Sequence, residues 1–213
     1  MSTAILVDAA YFLYRARRVY NIDINNPEQV VNTLYDMCLE HVDGSKLYRI
    51  LVYDCAPLDK KSHHPITNEF VDFSQLPGAR FRQEFHNHLK RKRKVALRLG
   101  YLSGHNWIIK PDKIKRLLNN EILVSDLEHF DVVYDIDQKE VDIKIGLDIA
   151  SLAYKRLVKQ IILISGDGDF VPAAKLARRE GIDVILDPMW GCINPSLHEH
   201  IDGLKSTSPR PRN

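Results

Sequence analysis

The feature that most constrains the fold is the run Ile161-Ile162-Leu163-Ile164, followed by Ser165-Gly166-Asp167-Gly168-Asp169-Phe170. Four aliphatic residues with no polar alternation read as a strand covered on both faces, the signature of a parallel sheet. The strand runs into a glycine-rich turn bearing two acids, and 171–180 then reads as a helix leading to a strand at 182–186. This is a βαβ unit, with a crossover expected to be right-handed. In open α/β sheets, ligands bind in the crevice beyond the carboxyl ends of the strands. Two acids at that edge, with glycines that allow close approach, suggest a hard cation and an anionic substrate.

A lone Asp after a strand is often only a helix N-cap. Two further strands make the functional reading stronger. Ala4-Ile5-Leu6-Val7 delivers Asp8 to a strand end, and Ile50-Leu51-Val52-Tyr53 delivers Asp54. Were these strands parallel neighbours, their acids would share one edge. Clustered carboxylates repel and raise one another's pKa unless a cation neutralises them.

The rest of the chain fits an alternating α/β pattern: helices through Tyr20 and from Pro27 to His41, and a strand at 47–53. A long polar segment from Cys55 to Gln75 reads as a functional loop or lid. The basic stretch 80–98 reads as a helix, followed by strand pieces between Gly100 and Lys110, a short helix after Pro111, and a strand at 130–134. The segment from Glu140 to Leu157 reads as an amphipathic helix with Ile143, Leu147, Ala150 and Tyr154 on its apolar stripe. The expectation is one domain over 1–204 and a disordered tail over 205–213, where three basic residues and two prolines carry no apolar pattern. Apolar Tyr and Leu positions in the first helix could form a homodimer face.

The chain has 213 residues, 45% of them hydrophobic and 27% charged, ordinary for a globular protein. No apolar run approaches the roughly 18 residues that span a bilayer, and Met1-Ser2-Thr3 leads directly into a strand with no room for a signal peptide. Three cysteines without metal-ligand spacing suit a reducing compartment. A cytoplasmic protein with no membrane association is expected. The net charge is only +2, but Lys90-Arg91-Lys92-Arg93-Lys94 is an uninterrupted basic run. It reads either as a solvated helix face or as a surface that grips phosphates.

With the acids placed, the sequence resembles the NYN family of PIN-like nucleases. The match is carried by Ile5-Leu6-Val7-Asp8, by Gln138-Lys139-Glu140-Val141-Asp142 running into Ile143-Lys144-Ile145-Gly146-Leu147-Asp148-Ile149-Ala150, and by Ser165 to Phe170 with Val171-Pro172-Ala173-Ala174-Lys175. The resemblance implies a mainly parallel central sheet flanked by helices on both faces, a Rossmann-like three-layer sandwich. It implies a metal-dependent ribonuclease in which Asp8, Asp142, Asp167 and Asp169 hold Mg²⁺ or Mn²⁺, leaving a 5′-phosphate and a 3′-hydroxyl. Asp148 lies six residues past Asp142, roughly 240° around the helix, so it is left out of the metal-holding set and could equally pair with Lys144. Family members often carry Gly and Asn soon after the first Asp, whereas this chain reads Asp8-Ala9-Ala10-Tyr11. That departure keeps a second reading open: a catalytically weak or inactive RNA-binding module of the same fold.

Two other enzyme classes fit the sequence less well. A haloacid-dehalogenase-type phosphatase needs a second Asp two residues after the first, and position 10 is Ala. A metal-free ribonuclease would use histidines as acid and base, but His63, His64, His86 and His88 read as loop and helix-surface residues.

Overall fold

A computed structural model describes residues 2–20, 22–23, 25–42 and 44–211. Its centre is a seven-stranded sheet whose strands were partly visible as apolar runs. These are β1 (Ser2–Asp8), β2 (Lys46–Cys55), β5 (Val95–Ile109), β6 (Val132–Lys139), β7 (Gln160–Ile164), β8 (Asp183–Asp187) and β9 (Gly203–Leu204), in the spatial order β6-β5-β2-β1-β7-β8-β9. A separate hairpin pairs β3 (Lys61–His63) with β4 (Phe70–Asp72). Every pairing in the main sheet is parallel except β5 with β6.

The two-sided burial inferred from unbroken aliphatic runs is realised. Ala4, Leu6, Leu51, Tyr53, Ile161 and Leu163 pack on one face against helices α5 (Val141–Tyr154), α6 (Val171–Arg179) and α7 (Pro195–His198). Ile5, Val7, Ile50, Val52, Ile162 and Ile164 pack on the other against α1 (Ala9–Val19), α2 (Pro27–Glu40) and α3 (Pro77–Arg91). The result is the mainly parallel three-layer α/β sandwich that the sequence implied. Five helices, α2, α3, α4 (Pro111–Leu118), α6 and α7, carry Pro in their first turn. There the missing N–H costs no helical bond and the fixed φ favours the turn.

Several expectations change. The helix predicted over 80–98 ends at Arg91, and Lys94 adopts a left-handed φ of 61° before β5 begins. The stripe assigned to α5 is inverted: Ile143, Leu147 and Tyr154 are exposed, while Val141, Ile145, Ile149, Leu152 and Ala153 meet the sheet. Both stripes are apolar at helical spacing, so periodicity alone does not choose between them. The polar segment 55–75 contains the β3–β4 hairpin and a 3₁₀ turn at Phe73–Gln75. It is held down by Phe73, which lies 4.4 Å from the Tyr134 ring, and by the Trp107 indole N–H, which donates to Ser62 Oγ at 3.0 Å.

Residues 205–211 of the expected tail make specific contacts with the domain. The Trp190 indole N–H donates to the Ser208 carbonyl at 2.9 Å, Thr207 Oγ1 donates to the Met37 carbonyl at 3.1 Å, and Arg210 lies over the Trp190 ring. Hydrogen bonds and a cation–π contact replace the apolar pattern whose absence suggested disorder. Residues 212–213 lie outside the described residues.

Candidate metal centre at the carboxyl edge of the sheet

The order β2-β1-β7 makes the three acid-bearing strands parallel neighbours, with Asp8 opposite Tyr53 and Val7 opposite Ile164. Asp8, Asp54 and the Ser165–Asp169 turn therefore reach the same sheet edge. Asp142 comes to that edge in the first turn of α5, after Glu140 turns the chain out of β6 with a left-handed φ of 71°.

The four expected acids differ in environment. Asp8 is half-buried and caps α1, accepting from the Tyr11 N–H at 3.1 Å. Asp142, Asp167 and Asp169 are exposed. Asp167 caps the following 3₁₀ turn, accepting from the Asp169 N–H at 3.1 Å, and its own N–H donates to Ser165 Oγ. Capping and clustering thus coexist in the same side chains. Burial pushes the Asp8 carboxyl up to about 6, the Tyr11 N–H opposes this, and the charges of Asp142 and Asp54 add to the rise. Asp142 is also raised, by burial and then by the charges of Asp167 and Asp169. The four acids are therefore linked by mutual repulsion in one electronegative region.

This donor set is all carboxylate oxygen, which suits a hard divalent ion. Among the described residues, however, no three His, Cys, Asp or Glu side chains stand close enough to hold one ion jointly. The set therefore fits an ion that retains several waters and meets part of the cluster through them, as magnesium does.

Asp54 is set apart from the four. It is buried, accepts from His86 Nε2 at 2.8 Å, and forms an ion pair with Arg82. Burial would raise its pKa, but the His86 hydrogen bond and the Arg82 charge outweigh it and hold the carboxyl below its usual range. His86 is accordingly a buried partner and not the surface residue expected. His64 is likewise buried, with Nε2 3.0 Å from the His129 carbonyl. Asp148 accepts from Tyr53 Oη at 2.8 Å and from Arg98 Nε at 3.1 Å, while Lys144 pairs with Glu140. The alternative pairing of Asp148 with Lys144 is not the one made.

The glycines of the turn serve the protein itself. A Cβ at Gly166 would lie 2.9 Å from the Cys192 carbonyl and 3.1 Å from the Tyr11 ring, and one at Gly168 would lie 2.4 Å from Asn194 Nδ2. Room for a substrate is not what requires them. Tyr11, the departure from the family pattern, crosses this turn and donates from its hydroxyl to the Pro188 carbonyl at 2.6 Å. Arg15, one turn later, donates to the Met189 carbonyl through Nε and Nη2 at 3.1 and 2.8 Å. Together they fasten the 188–191 loop, where Met189 and Trp190 have positive φ, against the acid edge.

The basic run lies elsewhere. Lys90 and Arg91 end α3, and Lys92, Arg93 and Lys94 lead into the amino end of β5. The acids cluster at the carboxyl ends of the same parallel strands, so the two features occupy opposite edges of the sheet. Lys92 is engaged with Asn32 Oδ1 and the Tyr35 ring, and Lys94 with the Leu47 carbonyl. Arg82, by contrast, is a basic residue brought to the acid edge, through its ion pair with Asp54. Its signal in the sequence was faint, because a single Arg in a basic stretch does not reveal which end of the helix faces the site.

The model of the NYN domain family matches residues 67–189. This chain belongs to the NYN domain family. The matched span includes Asp142, Asp167 and Asp169, and Asp8 precedes it. Membership implies a PIN-like, nuclease-type fold and a nuclease role in the broad sense, and nucleases of this family are typically dependent on divalent metal. No curated protein matches the sequence. A crystal structure of a protein of unknown function from Vibrio parahaemolyticus is similar over 95% of this chain and 90% of its own, at 20% identity and a TM-score of 0.47. No helix among the described residues is long and apolar enough to cross a membrane.

Proposed function

We propose that this NYN-family protein is a metal-dependent ribonuclease whose Asp8, Asp142, Asp167 and Asp169 hold Mg²⁺ or Mn²⁺ against a scissile RNA phosphate. The observation that supports this reading is the gathering of carboxylates at one sheet edge, where Asp8 and Asp142 are raised by burial and, after it, by neighbouring carboxylates. A site where ordinary folding would avoid repulsion is one that a cation relieves. Such a cation, when bound, lowers the pKa of a water and offsets charge on the phosphate. The chain's own part is orientation. The sheet edge fixes Asp8, the 3₁₀ turn fixes Asp167 and Asp169, and the first turn of α5 presents Asp142.

The second reading, an RNA-binding module with weak or no catalysis, draws on the wide spacing of the acids among the described residues and on a Tyr in place of the family's Asn. One assay separates the two. With Mn²⁺ and labelled RNA, the parent protein should cleave and EDTA should abolish cleavage. Folded Asp8→Asn and Asp167→Asn variants should each lose at least 100-fold in rate, a loss in the range seen when one preorganised electrostatic group is removed. Cleavage by the variants at the parental rate excludes the four-acid site, and no cleavage by the parent leaves the binding module.

A further inference from the structure

A cavity of about 270 Å³ opens beside the acid edge, between the amino end of α3, the segment after β2, and strands β5 and β6. Its walls are mostly apolar, with Leu58, Phe73, Leu76, Leu102 and Ile136 among them. Three polar side chains reach it: Asp54, Arg82 and Gln138. It is slightly smaller than the roughly 300 Å³ at which pockets for drug-sized ligands begin, a size that suits a single flat ring system.

Its polar rim is specific. Arg82 commits Nη1 to the Asp54 carboxylate, which accepts from His86 through its other oxygen. This buried pairing fixes the guanidinium while about 30% of the Arg82 side chain stays open to solvent. A guanidinium has five N–H donors, so a fixed edge remains for a phosphate. Arg82 also lines a second cavity of about 420 Å³ with Arg17 and Tyr14, between α1 and α3. It therefore stands between an apolar recess and a basic one, next to a carboxylate whose charge reaches Asp8. The Gln138 amide, on β6, is hydrogen-bonded to no described residue and offers both a donor and an acceptor to a ring edge.

We propose that this apolar cavity is a nucleotide subsite, taking one unpaired nucleobase against Phe73 and Leu102 while Arg82 holds the adjoining phosphate and Gln138 meets the base edge. The assignment rests on the ribonuclease reading for its biological setting, because the subsite would seat the nucleotide next to the bond that is cut. A free nucleotide and a nucleotide within RNA present the same chemistry, so the test separates them.

Binding is measured without divalent metal, so that cleavage does not enter. One arm compares a nucleoside 5′-monophosphate with ribose 5-phosphate. The other compares an RNA trinucleotide with the same trinucleotide lacking its middle base. The cavity is then filled from two sides. A Cβ at Gly78, which lines it, meets nothing within 4 Å, and Ile136 is 40% exposed. Gly78→Trp and Ile136→Trp should therefore both fold, as a thermal melt will report. Loss of the base should weaken binding at least tenfold in one or both arms, and either filling variant should abolish that difference. Dependence in the trinucleotide arm alone assigns the subsite to RNA, and dependence in the mononucleotide arm alone assigns it to free nucleotide. Binding that ignores the base in both arms, or filling variants that bind like the parent, overturns the proposal. Failure of the ribonuclease reading shows separately, as RNA left intact in Mn²⁺ whatever binds here.

Discussion

At the scale of single residues, Asp8 is at once a helix cap and a strained charge. The two roles make opposite demands, and pH separates them. The carboxyl shifts from an ordinary 3.8 to about 6 in the folded protein. Without metal, the unfolded chain releases this proton near pH 4 and the folded chain only near pH 6, so the charge lowers stability progressively across that window. Asn keeps the cap, since its side-chain oxygen accepts the same N–H. Asp8→Asn in EDTA should therefore match the parent near pH 4 and exceed it above pH 6, by on the order of 1–2 kcal/mol after solvent screening. Chemical denaturation across pH checks this. Addition of Mn²⁺ should raise the melting temperature of the parent more than that of the variant, because binding to the folded state alone stabilises it. Equal stability of the two proteins at pH 7 in EDTA would mean that neither burial nor the neighbouring charges disfavour the Asp8 carboxylate in the folded protein.

At the scale of elements, the sequence was most legible where one physical cause dominated. The aliphatic runs at 4–7, 50–53 and 161–164 had to be buried on both faces, and the structure places them side by side in the centre of the sheet. Chain order could not reveal which apolar stripe of α5 faces inward, because Ile143-Leu147-Tyr154 and Ile145-Ile149-Leu152 are equally periodic. That choice is made by the sheet, whose α5-side residues Ala4, Leu6 and Leu51 receive the second set. The assignment can be tested by stability. Ile145→Ala should cost about 2–5 kcal/mol, as a buried truncation does, and Leu147→Lys should stay within about 0.5 kcal/mol of the parent. A reversal of these costs would restore the stripe expected from periodicity. The same limit explains Arg82. Helix α3 was visible as a basic segment, but its direction, which brings Arg82 to the acids and leaves Arg91 far from them, depends on tertiary packing.

At the scale of the whole molecule, the acids and the basic run 90–94 occupy opposite edges of one sheet. Between Val95 and Gly100 alone, five residues of β5 separate those edges by about 16 Å. We propose that the run contacts RNA at a distance from the cut, so its contribution should depend on substrate length. Replacing Lys90, Arg91 and Arg93 with Gln should weaken binding of long RNA and flatten its salt dependence. Binding of a trinucleotide should be unchanged. Unchanged affinity for long RNA would return these residues to a solvated surface. What chain order left hidden at this scale is the fastening of the periphery: polar hydrogen bonds to 205–211 and the tie from Tyr11 to the 188–191 loop carry no periodicity to read. Gly100 has a reach of the same kind. It is the point at which β5 passes from its parallel partner to its antiparallel one, and a Cβ there would lie 2.2 Å from the Lys139 carbonyl. A single methyl group at this crossing would push the end of β6 outward and take Asp142, three residues further on, with it. At the proposed metal site, affinity is therefore exposed to change from a position that contains no ligand, no charge and no side chain at all.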